Sequence, residues 1–345
     1  MNRLVPMTIA HFLELIQDKQ VICFGLGNQG RRVALYFHIW GLDDNLVAFA
    51  DNDVSKAGKR FSFNGREIPI ISPHEIVKYD SGNLFLLITS IHYQQIYEEL
   101  DGLVENSCVP VISLDDIADA ELENTSYSEP MRESDNQAIP KIIHYSWFGE
   151  EKPISIKKNI AKWKKLCPDY EFIEWNEKNY DVTKNKYMYQ AYQKKIWGFV
   201  PDYLRLDVLY QYAGIYLDTD IELLKRPDEL LYQNCFGCVD ASLTMNLGSG
   251  FGCKPGEKLI KELRDYYFER SFIQSDGSID NTSCNTHSLK ILMKYGVQIN
   301  NKLQNVCGMN IYPMIIQGKN QHTGKQVVSG KTFWVHHGNM SWMQN

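Results

Sequence analysis

The chain has 345 residues, of which 44% are hydrophobic and 23% charged, and its formal net charge is −6. A chain of this length favours two domains over one, and its apolar content is sufficient for a substantial core. The negative net charge argues against nonspecific binding of nucleic acid, which requires a basic surface.

The first third of the chain shows short apolar runs that alternate with helical patterns. Strands are predicted at 21–24, 46–50, 84–89 and 109–112, and helices at 28–40 and 91–100. Strands that alternate with helices indicate a parallel sheet. We therefore expect an α/β class protein that begins with a Rossmann-like parallel sheet domain over residues 1–118.

A glycine-rich turn, GLGNQG, follows the first of these strands. It contains Gly25, Gly27 and Gly30 and opens a helix, and Asp51 ends the next strand. This context is typical of a dinucleotide site, in which the backbone and the helix dipole hold the pyrophosphate and the acid binds ribose. Two alternatives remain: a turn that only packs strand against helix, or a site for another nucleotide-like ligand.

NAD is not the expected ligand of this turn, because the rest of the chain shows no second domain built for hydride transfer. The segments VAFADNDVSKAG and IPIISPHEI resemble the Rossmann-like N-terminal domains of bacterial sugar-modifying enzymes. The resemblance implies a domain that serves binding or docking without redox chemistry.

An acidic segment breaks the α/β pattern after residue 114. Residues 115–137 hold eight acidic residues and one basic residue, Arg132, with little periodicity. This composition predicts a linker or a surface segment, assigned to 119–138. The alternative is a solvated helix that closes the first domain.

The second domain is predicted over residues 139–345. Strands are expected at 139–147, 170–175, 215–224, 235–239 and 327–337, and helices at 153–167, 185–213, 257–272 and 285–295, the second of these broken near 198–201. The two cysteines of the single CxxC, Cys235 and Cys238, are interpreted as core residues, because a strand directs them to opposite faces and no second pair follows at zinc-site spacing.

The stretch IYLDTDIELL at 215–224 carries two carboxylates, Asp218 and Asp220, inside an apolar strand. Buried carboxylates without a cation are unfavourable. The i, i+2 spacing places both on one side of an extended chain, and their oxygens suit Mg²⁺ or Mn²⁺ that also binds phosphate. The sequence therefore predicts a metal–diphosphate site at the carboxyl end of a strand.

An acid and a base precede this stretch in the segment PDYLRLDVLYQYAG. Asp202 and Arg205 are three residues apart and share one face of a predicted helix. Such a pair beside two further carboxylates is suited to bind a sugar hydroxyl and a phosphate. A structural ion pair is the alternative.

Five blocks of the second domain carry a family resemblance. They occur in order as IPKIIHYSWFG, WKKLCPDYEFIEWNE, PDYLRLDVLYQYAGIYLDTDIELLKRPDELL, NLGSGFGCKPGEK and VHHGNMSW. The chain resembles the DXD-containing glycosyltransferases that include capsular-polysaccharide enzymes and the yeast initiating mannosyltransferase, and more distantly the clostridial glucosylating toxins. The resemblance implies a GT-A fold, a nucleotide-sugar donor, with a UDP-sugar expected first, a divalent metal, and retention of anomeric configuration.

The resemblance also implies roles for single residues. Trp147 would stack on the nucleotide base, Asp218 would bind the ribose and the metal shell, and Asp220 would be a direct metal ligand. Asp202 would hold a hydroxyl of the donor sugar, and Arg205 would offset diphosphate charge.

Four further positions match the last two blocks of the family pattern. Asn246 would lie near the sugar or phosphate. His336 is preferred over His337 as a third metal ligand, while Ser341 would reach the metal or phosphate and Trp342 would close over the donor. A surface pair of histidines at the end of a strand is the alternative.

Three hypotheses for function follow. The first is a transferase that builds capsular or other surface polysaccharide on a saccharide or lipid-linked acceptor; the second is a toxin-like enzyme that glycosylates a protein; the third is a nucleotide-binding redox or sensor protein. The sequence shows neither an export signal nor a run of about 18 apolar residues. We therefore expect a cytoplasmic protein, with peripheral contact at the inner membrane face left open. The donor sugar, the linkage and the oligomeric state do not follow from the sequence.

Overall fold

The computed structural model describes residues 2–103, 108–125, 127, 132–149 and 151–338. They form an α/β protein with two seven-stranded sheets and one two-stranded sheet. The predicted fold class is therefore confirmed, and the second half is consistent with a GT-A-like arrangement.

The first sheet is built by residues 2–113. Its strands are β1 (Asn2–Arg3), β2 (Gln20–Phe24), β3 (Leu46–Ala50), β4 (Arg60–Phe63), β5 (Arg66–Ile71), β6 (Leu84–Ile88) and β7 (Pro110–Ser113); the helices are α1 (Ile9–Ile16), α2 (Asn28–Ile39), α3 (Tyr93–Leu103) and α4 (Leu114–Asn124).

The strand order of this sheet is β1-β7-β6-β2-β3-β5-β4, and every neighbouring pair is parallel except β4 with β5. The interior strand β6 is buried along its whole length, as expected for a parallel strand with both faces covered. The predicted strands at 46–50 and 84–89 differ from the observed strands by at most one residue. The crossover β2-α2-β3 places the glycine-rich turn at the carboxyl edge of the sheet.

Helix α4 lies where the sequence analysis places the beginning of a linker. It starts with a capping box, in which Ser113 and Asp116 satisfy each other's backbone N–H groups. Its acidic side chains contact the second domain: Asp119 accepts hydrogen bonds from Asn320 and Thr323, each at 2.8 Å. A buried helix therefore occupies residues 114–124, and its acidic residues are partners of the other domain. The limits of the two domains stay a prediction.

The second sheet and the small sheet are built by residues 142–336. The strands are β8 (Ile142–Ser146), β9 (Glu171–Trp175), β10 (Gly214–Tyr216), β11 (Ile221–Leu223), β12 (Cys235–Cys238), β13 (Phe251–Cys253), β14 (Gln304–Val306), β15 (Met309–Tyr312) and β16 (Trp334–His336); the helices are α5 (Ile154–Leu166), α6 (Lys186–Gln193), α7 (Pro201–Tyr212), α8 (Lys258–Asp265) and α9 (Cys284–Leu292).

The strand order of the second sheet is β14-β15-β12-β13-β10-β8-β9, with parallel and antiparallel pairs mixed. Strands β11 and β16 pair antiparallel outside it. The late strand expected at 327–337 is shorter than predicted and contains only Trp334–His336.

The predicted single strand at 215–224 is wrong. Strand β10 ends at Tyr216, residues 219–220 form a turn, and β11 begins at Ile221 in a different sheet. Asp218 and Asp220 therefore lie in a connection between two sheets, and the alternation of side chains along an extended strand does not apply to them. The change of sheet is possible because β11 finds a partner, β16, that lies more than 100 residues away in the chain.

One hydrophobic cluster passes through both domains. It joins residues of α1, α2 and α4 to the strands and helices of the second domain, while a second cluster fills the opposite face of the first sheet. The contact between the domains also includes hydrogen bonds: Trp40 donates from its ring nitrogen to the Ile299 carbonyl at 3.1 Å, and the Tyr36 hydroxyl donates to the Ser242 carbonyl. The two domains therefore pack as one body around a shared cleft.

Candidate active site

The turn that carries the two carboxylates is held from behind by helix α5. Leu217 donates its backbone N–H to the His144 carbonyl at 3.0 Å, which continues the contact of β10 with β8. Asn159 donates to the carbonyls of Thr219 (3.0 Å) and Ile221 (2.6 Å), and the Trp163 ring nitrogen donates to the Ile221 carbonyl at 2.8 Å. With its carbonyls bound to α5, the turn presents Asp218 and Asp220 to the cleft.

Arg205 lies between two carboxylates. Pro201 begins α7, so that Asp202 and Arg205 are three residues apart on its first turns. The Arg205 Nη2 lies 3.4 Å from Asp202 Oδ1 and 3.6 Å from Asp218 Oδ1, and its Nε donates to the Pro201 carbonyl at 3.2 Å. The predicted helical pair is therefore present, and it reaches the first acid of the turn as well.

The electrostatics of this group follow from burial. Burial raises the pKa of Asp202 to about 7, with the charge of Arg205 opposing this change and that of Asp218 adding to it. Burial also raises the pKa of Asp218, against the opposing charge of Arg205. Asp202 and Asp218 thus share one guanidinium, and the site has a deficit of positive charge that a cation would offset.

His336 completes the cluster from the opposite strand. It pairs with Ile221 in the β11–β16 ladder, so its imidazole reaches back to the turn, with Nε2 3.5 Å from Asp220 Oδ1. Nδ1 is hydrogen-bonded to the Ser249 hydroxyl at 2.8 Å. Burial alone would lower the pKa of His336, but the carboxylate of Asp220 raises it above its ordinary value.

His337 points elsewhere, as expected for the next residue of a strand. Its Nε2 lies 3.1 Å from Glu222 Oε2 and its Nδ1 lies 3.4 Å from Lys319 Nζ. Of the two histidines, His336 is therefore the one beside the carboxylates.

The donor set Asp218, Asp220 and His336 fits a divalent ion in its chemistry, two oxygens and one borderline nitrogen, which is a set that Mn²⁺ accepts. Within the described part of the chain no three such groups already converge at ligand distances. The side chains lie together at the cleft, and a shift of their rotamers would be needed to form a coordination sphere.

Asn246 approaches this cluster from the loop after β12. Its Nδ2 donates to Asp240 Oδ2 at 2.5 Å, and its Oδ1 accepts from the Gly248 N–H at 2.7 Å. The backbone of Gly248 packs directly on the site, because an added Cβ there would lie 2.4 Å from Asp218 Oδ2. The loop therefore holds Asn246 and the Asp218 carboxylate in fixed relation.

The remaining predicted residues are distributed as follows. Trp147 follows β8, is half-buried, and lines the same cleft; its backbone N–H donates to the Trp175 carbonyl at 3.0 Å. Ser341 and Trp342 lie outside the described residues.

Sequence reasoning did not identify three residues of the cleft. Asp240, buried at the end of β12, is held by Ser242, Asn246 and Gln321. Gly248 is needed for its missing side chain. Arg32 comes from α2 of the first domain. Asp240 could have been found from the sequence, because an acid directly after a predicted strand often belongs to a site. Arg32 could not, because an arginine within a helix gives no such indication.

The glycine-rich turn opens onto the same cleft. A cavity of about 1140 Å³ is lined by Gly25, Gly27 and Asp51 of the first domain and by Asp218 and Asp220 of the second. The sequence analysis treated the two motifs as separate sites, because nothing in the order of the chain brings them together.

The three glycines of the turn differ in whether the fold requires them. Gly25 has φ +107°, a conformation that favours glycine, and a Cβ on Gly30 would lie 2.0 Å from the Gly25 carbonyl oxygen. A Cβ on Gly27 would meet nothing within 4 Å. Gly25 and Gly30 are thus required by the fold, whereas Gly27 faces open space.

Asp51 is occupied by local partners. Its Oδ2 accepts the Leu26 N–H at 2.7 Å and the Lys56 ammonium at 3.1 Å, and its Oδ1 accepts the Asp53 N–H at 2.9 Å. The acid that the dinucleotide pattern assigns to ribose therefore stabilises the turn itself.

Comparison with known proteins gives the following similarities. Residues 153–237 match the family described as glycosyltransferase sugar-binding region containing DXD motif. A mannosyl phosphorylinositol ceramide synthase of Saccharomyces cerevisiae is 32% identical over 156 residues, 43% of this chain and 39% of the yeast protein. An inositol phosphoceramide mannosyltransferase of Schizosaccharomyces pombe is 35% identical over 105 residues, 29% and 30% of the two chains.

A third relative is the subversion of eukaryotic traffic protein A of Legionella pneumophila, 25% identical over 171 residues, 40% of this chain and 26% of that protein. The chain spans about two fifths or less of the length of these relatives. The matched family segment contains Asp202, Arg205, Asp218 and Asp220. The yeast relatives do not support the capsular and bacterial setting expected from the sequence.

The expectation of a cytoplasmic protein is contradicted by the yeast relatives, whose names specify a ceramide lipid. Over the residues with described coordinates, no helix has both the length and the apolar character needed to cross a bilayer. The resemblance to DXD glycosyltransferases with yeast mannosyltransferase relatives is confirmed. Residues 153–237 thus match a DXD-containing sugar-binding region of glycosyltransferases, and this match includes both carboxylates of the turn.

Proposed function

We propose that the protein transfers a hexose, with mannose the first candidate, from a nucleoside diphosphate sugar to a hydroxyl group of a glycolipid acceptor. The observation that carries the proposal is the position of Arg205, buried between Asp202 and Asp218 at the turn that also holds Asp220 opposite His336. A buried cation among carboxylates at an open cleft is suited to a diphosphate that arrives with a metal ion.

Arg205 would stabilise the negative charge that builds on the departing diphosphate, the electrostatic contribution that is usually largest in such reactions. Asp218, Asp220 and His336 would hold a divalent ion, which when bound would supply further charge stabilisation to the same group. Asp202, whose pKa burial raises, would hold a hydroxyl of the donor sugar as either donor or acceptor of a hydrogen bond. Trp147 would stack on the base.

The acceptor class is supported by the names of the relatives. The yeast proteins are named for adding mannose to inositol phosphoceramide, a lipid whose head group is a phosphorylated cyclic polyol. For this chain we propose a glycolipid acceptor without specifying its head group. A saccharide of a surface polysaccharide is the competing acceptor.

Retention of configuration is part of the proposal. In this reaction the acceptor hydroxyl attacks the anomeric carbon from the face of the leaving group, whose oxygen takes the proton. The products would be a glycoside of the same anomeric configuration as the donor and a nucleoside diphosphate. Proton NMR of the first-formed product distinguishes retention from inversion.

The test uses the full chain with Mn²⁺ and a panel of GDP-mannose, UDP-glucose, UDP-galactose and UDP-N-acetylglucosamine. Released nucleoside diphosphate is measured with and without a phosphoinositol lipid. We expect release from one donor, strong loss in Asp220→Asn, and near-normal release in Glu222→Gln, a neighbouring acid that does not line the cleft. Absence of release from every donor with metal present would overturn the proposal.

A toxin-like protein glycosyltransferase is the second candidate, favoured by the similarity to the Legionella protein named for subversion of eukaryotic traffic. A eukaryotic cell extract with labelled donor, compared with the same extract depleted of protein, separates the two. Label recovered in protein and not in the lipid fraction would favour this candidate.

A further inference from the structure

The first domain contributes to the cleft a group of polar atoms that the transferase chemistry does not use. These are the N-terminal turn of α2, the side chain of Gln29 and the guanidinium of Arg32, all lining the cavity that contains Asp218 and Asp220. We propose that this group binds the phosphate of the acceptor, so that the acceptor is a phosphate ester and the first domain is part of its binding site. The inference rests on the proposed transferase function.

The N-terminus of α2 has free donors. The helix is 12 residues long, and its N-cap residue is Gly27, which has no side chain to cap the first turn. The first N–H groups of a helix have no acceptor inside the helix, and together with the helix dipole they favour an anion. Gly27 faces open space, since a Cβ placed there would meet nothing within 4 Å. An anion can therefore approach the N-terminus of α2 from this side.

Arg32 supplies an independent observation. Its residue is 4% exposed, and among the described residues its one hydrogen bond is from Nε to the Tyr36 hydroxyl at 2.9 Å. The two terminal nitrogens have no hydrogen-bond partner in the described part of the chain. The charge of Arg32 acts on Asp240: burial would raise the pKa of this carboxyl, but hydrogen bonds from Ser242 and Asn246 and the charge of Arg32 hold it below its ordinary value. Asp240 takes its hydrogen bonds from Ser242, Asn246 and Gln321 and none from Arg32.

Gln29 adds a buried amide oxygen that has no hydrogen-bond partner. It is 8% exposed, its Oε1 has no hydrogen-bond partner, and its Nε2 lies 3.4 Å from His322 Nδ1. The buried Oε1 of Gln29, which has no hydrogen-bond partner, is unfavourable in the absence of a ligand. A phosphate offers acceptor oxygens to the guanidinium and the helix N–H groups, and a protonated phosphate oxygen or bound water can donate to Gln29.

A nucleotide donor would not explain this group. The carboxylate of Asp51, which a dinucleotide site would direct to ribose, is hydrogen-bonded to Leu26 and Lys56. Because the transferase turn lies in the same cavity, a phosphate held at α2 would orient the rest of its molecule toward the sugar donor. The phosphate could belong to a soluble sugar or polyol phosphate or to a lipid head group.

The test variant is Gly27→Asp. Aspartate is a good N-cap, so the variant should keep α2 folded, while its carboxylate occupies the free N–H groups and repels an anion. The matched control is Gly102→Asp, at an exposed glycine of α3 where a Cβ also meets nothing within 4 Å and which does not line the cleft.

Binding is measured first, with inorganic phosphate and the full chain, by phosphorus NMR titration. We expect wild type and Gly102→Asp to bind phosphate and Gly27→Asp to bind at least about tenfold more weakly, as expected when charge-assisted hydrogen bonds are lost. If Gly27→Asp does not fold, Arg32→Gln is compared with Arg32→Lys, and the lysine variant should retain part of the affinity. Equal phosphate binding by wild type and the folded variants would overturn the proposal.

Transfer is measured second, with myo-inositol, myo-inositol 1-phosphate, and vesicles of phosphatidylcholine containing phosphatidylinositol. We expect wild type to prefer the phosphorylated acceptors by at least about tenfold in kcat/KM and this preference to fall toward one in Gly27→Asp. Preference for myo-inositol 1-phosphate indicates that the natural acceptor is a soluble phosphate ester. Activity only on vesicles indicates a lipid head group. No preference over myo-inositol would contradict the inference, whereas failure of donor hydrolysis in wild type would contradict the proposed function instead.

Discussion

His336 Nε2 lies 3.5 Å from Asp220 Oδ1, and the pairing of Ile221 with His336 in the β11–β16 ladder fixes this approach. The imidazole and the carboxylate come from segments that are more than 100 residues apart in the chain. Binding of a divalent ion would require His336 without its extra proton, because a histidine ligand must be neutral. Metal binding should therefore depend on the small sheet as well as on the turn.

The first prediction concerns the third ligand. His336→Gln should raise the Mn²⁺ concentration needed for half-maximal release of nucleoside diphosphate by about tenfold or more, by analogy with the cost of disturbing groups around a metal. His337→Gln is the control, because His337 contacts Glu222 and Lys319 instead. Equal metal dependence of the two variants would remove His336 from the metal site.

The second prediction concerns the shared guanidinium. Arg205→Gln leaves Asp202 and Asp218 without their buried cation, so it should lower the free energy of unfolding by about 3 to 5 kcal/mol and abolish turnover. Arg205→Lys should recover part of the stability and little of the activity, because one ammonium does not reproduce the fork of the guanidinium.

Urea unfolding followed by circular dichroism and donor hydrolysis measure these two effects separately. Arg226→Gln serves as the control, since Arg226 pairs with Asp169 and Asp228 at the surface. Recovery of full turnover by the lysine variant would argue that Arg205 acts only as a charge.

The third prediction concerns a missing side chain. Gly248→Ala places a Cβ 2.4 Å from Asp218 Oδ2 and 3.3 Å from Arg205 Nη1, so the carboxylate must move. We expect kcat/KM to fall by about tenfold to a hundredfold, the range that a displacement of about 1 Å can produce. Gly330→Ala, where a Cβ meets nothing within 4 Å, should be neutral. An active Gly248→Ala enzyme would show that the position of Asp218 is not critical.

The fourth prediction concerns acid stability. His144 is fully buried, donates from Nε2 to the Ala213 carbonyl at 2.7 Å, and accepts from the Trp175 ring nitrogen at 3.1 Å. Both ring nitrogens are thus used by the neutral form, and burial lowers the pKa of His144 to about 4. A protonated Nδ1 would face the N–H of Trp175.

The direction of the pH effect on stability follows from the pKa of His144 in the folded chain and in the unfolded chain. Between about pH 6.5, the ordinary value, and about pH 4, the unfolded chain takes up a proton at this residue and the folded chain does not, so stability falls as the pH falls. The loss should be of the order of 3 kcal/mol over that window. Urea midpoints measured across it should depend less steeply on pH in His144→Gln than in wild type or the exposed control His11→Gln. Parallel curves for all three proteins would exclude the effect.

The sequence predicted much of the local structure of the site. The pair Asp202 and Arg205 shares a helix face because helical spacing is local, and the DXD turn follows a buried strand because the apolar run Ile215 to Leu217 is local too. Four of the seven strands in residues 2–113 were predicted for the same reason, whereas β1, β4 and β5 were missed. These features depend on residues within one or two turns of chain.

Long-range features were not predictable in this way. The partner of β11 is a three-residue strand near residue 335, and a short strand carries too weak a pattern to show which strand it joins. The acidic residues of α4 suggested a solvated segment, but Glu121 binds the Asn301 amide at 3.1 Å and the Ile9 N–H at 2.7 Å. Composition shows that the segment is acidic, but it does not show which distant donors its carboxylates bind.

The burial of α4 on both sides has a practical consequence for anyone who expresses the sugar-binding half alone. A fragment that starts at residue 139 would lose the acceptors of Asn320, Thr323 and Asn301 together with the apolar side chains of Leu114 and Ile117. Its freshly uncovered flank would invite self-association in solution. Cloning boundaries for such a fragment should be set upstream of residue 113, so that the helix and its cap stay attached.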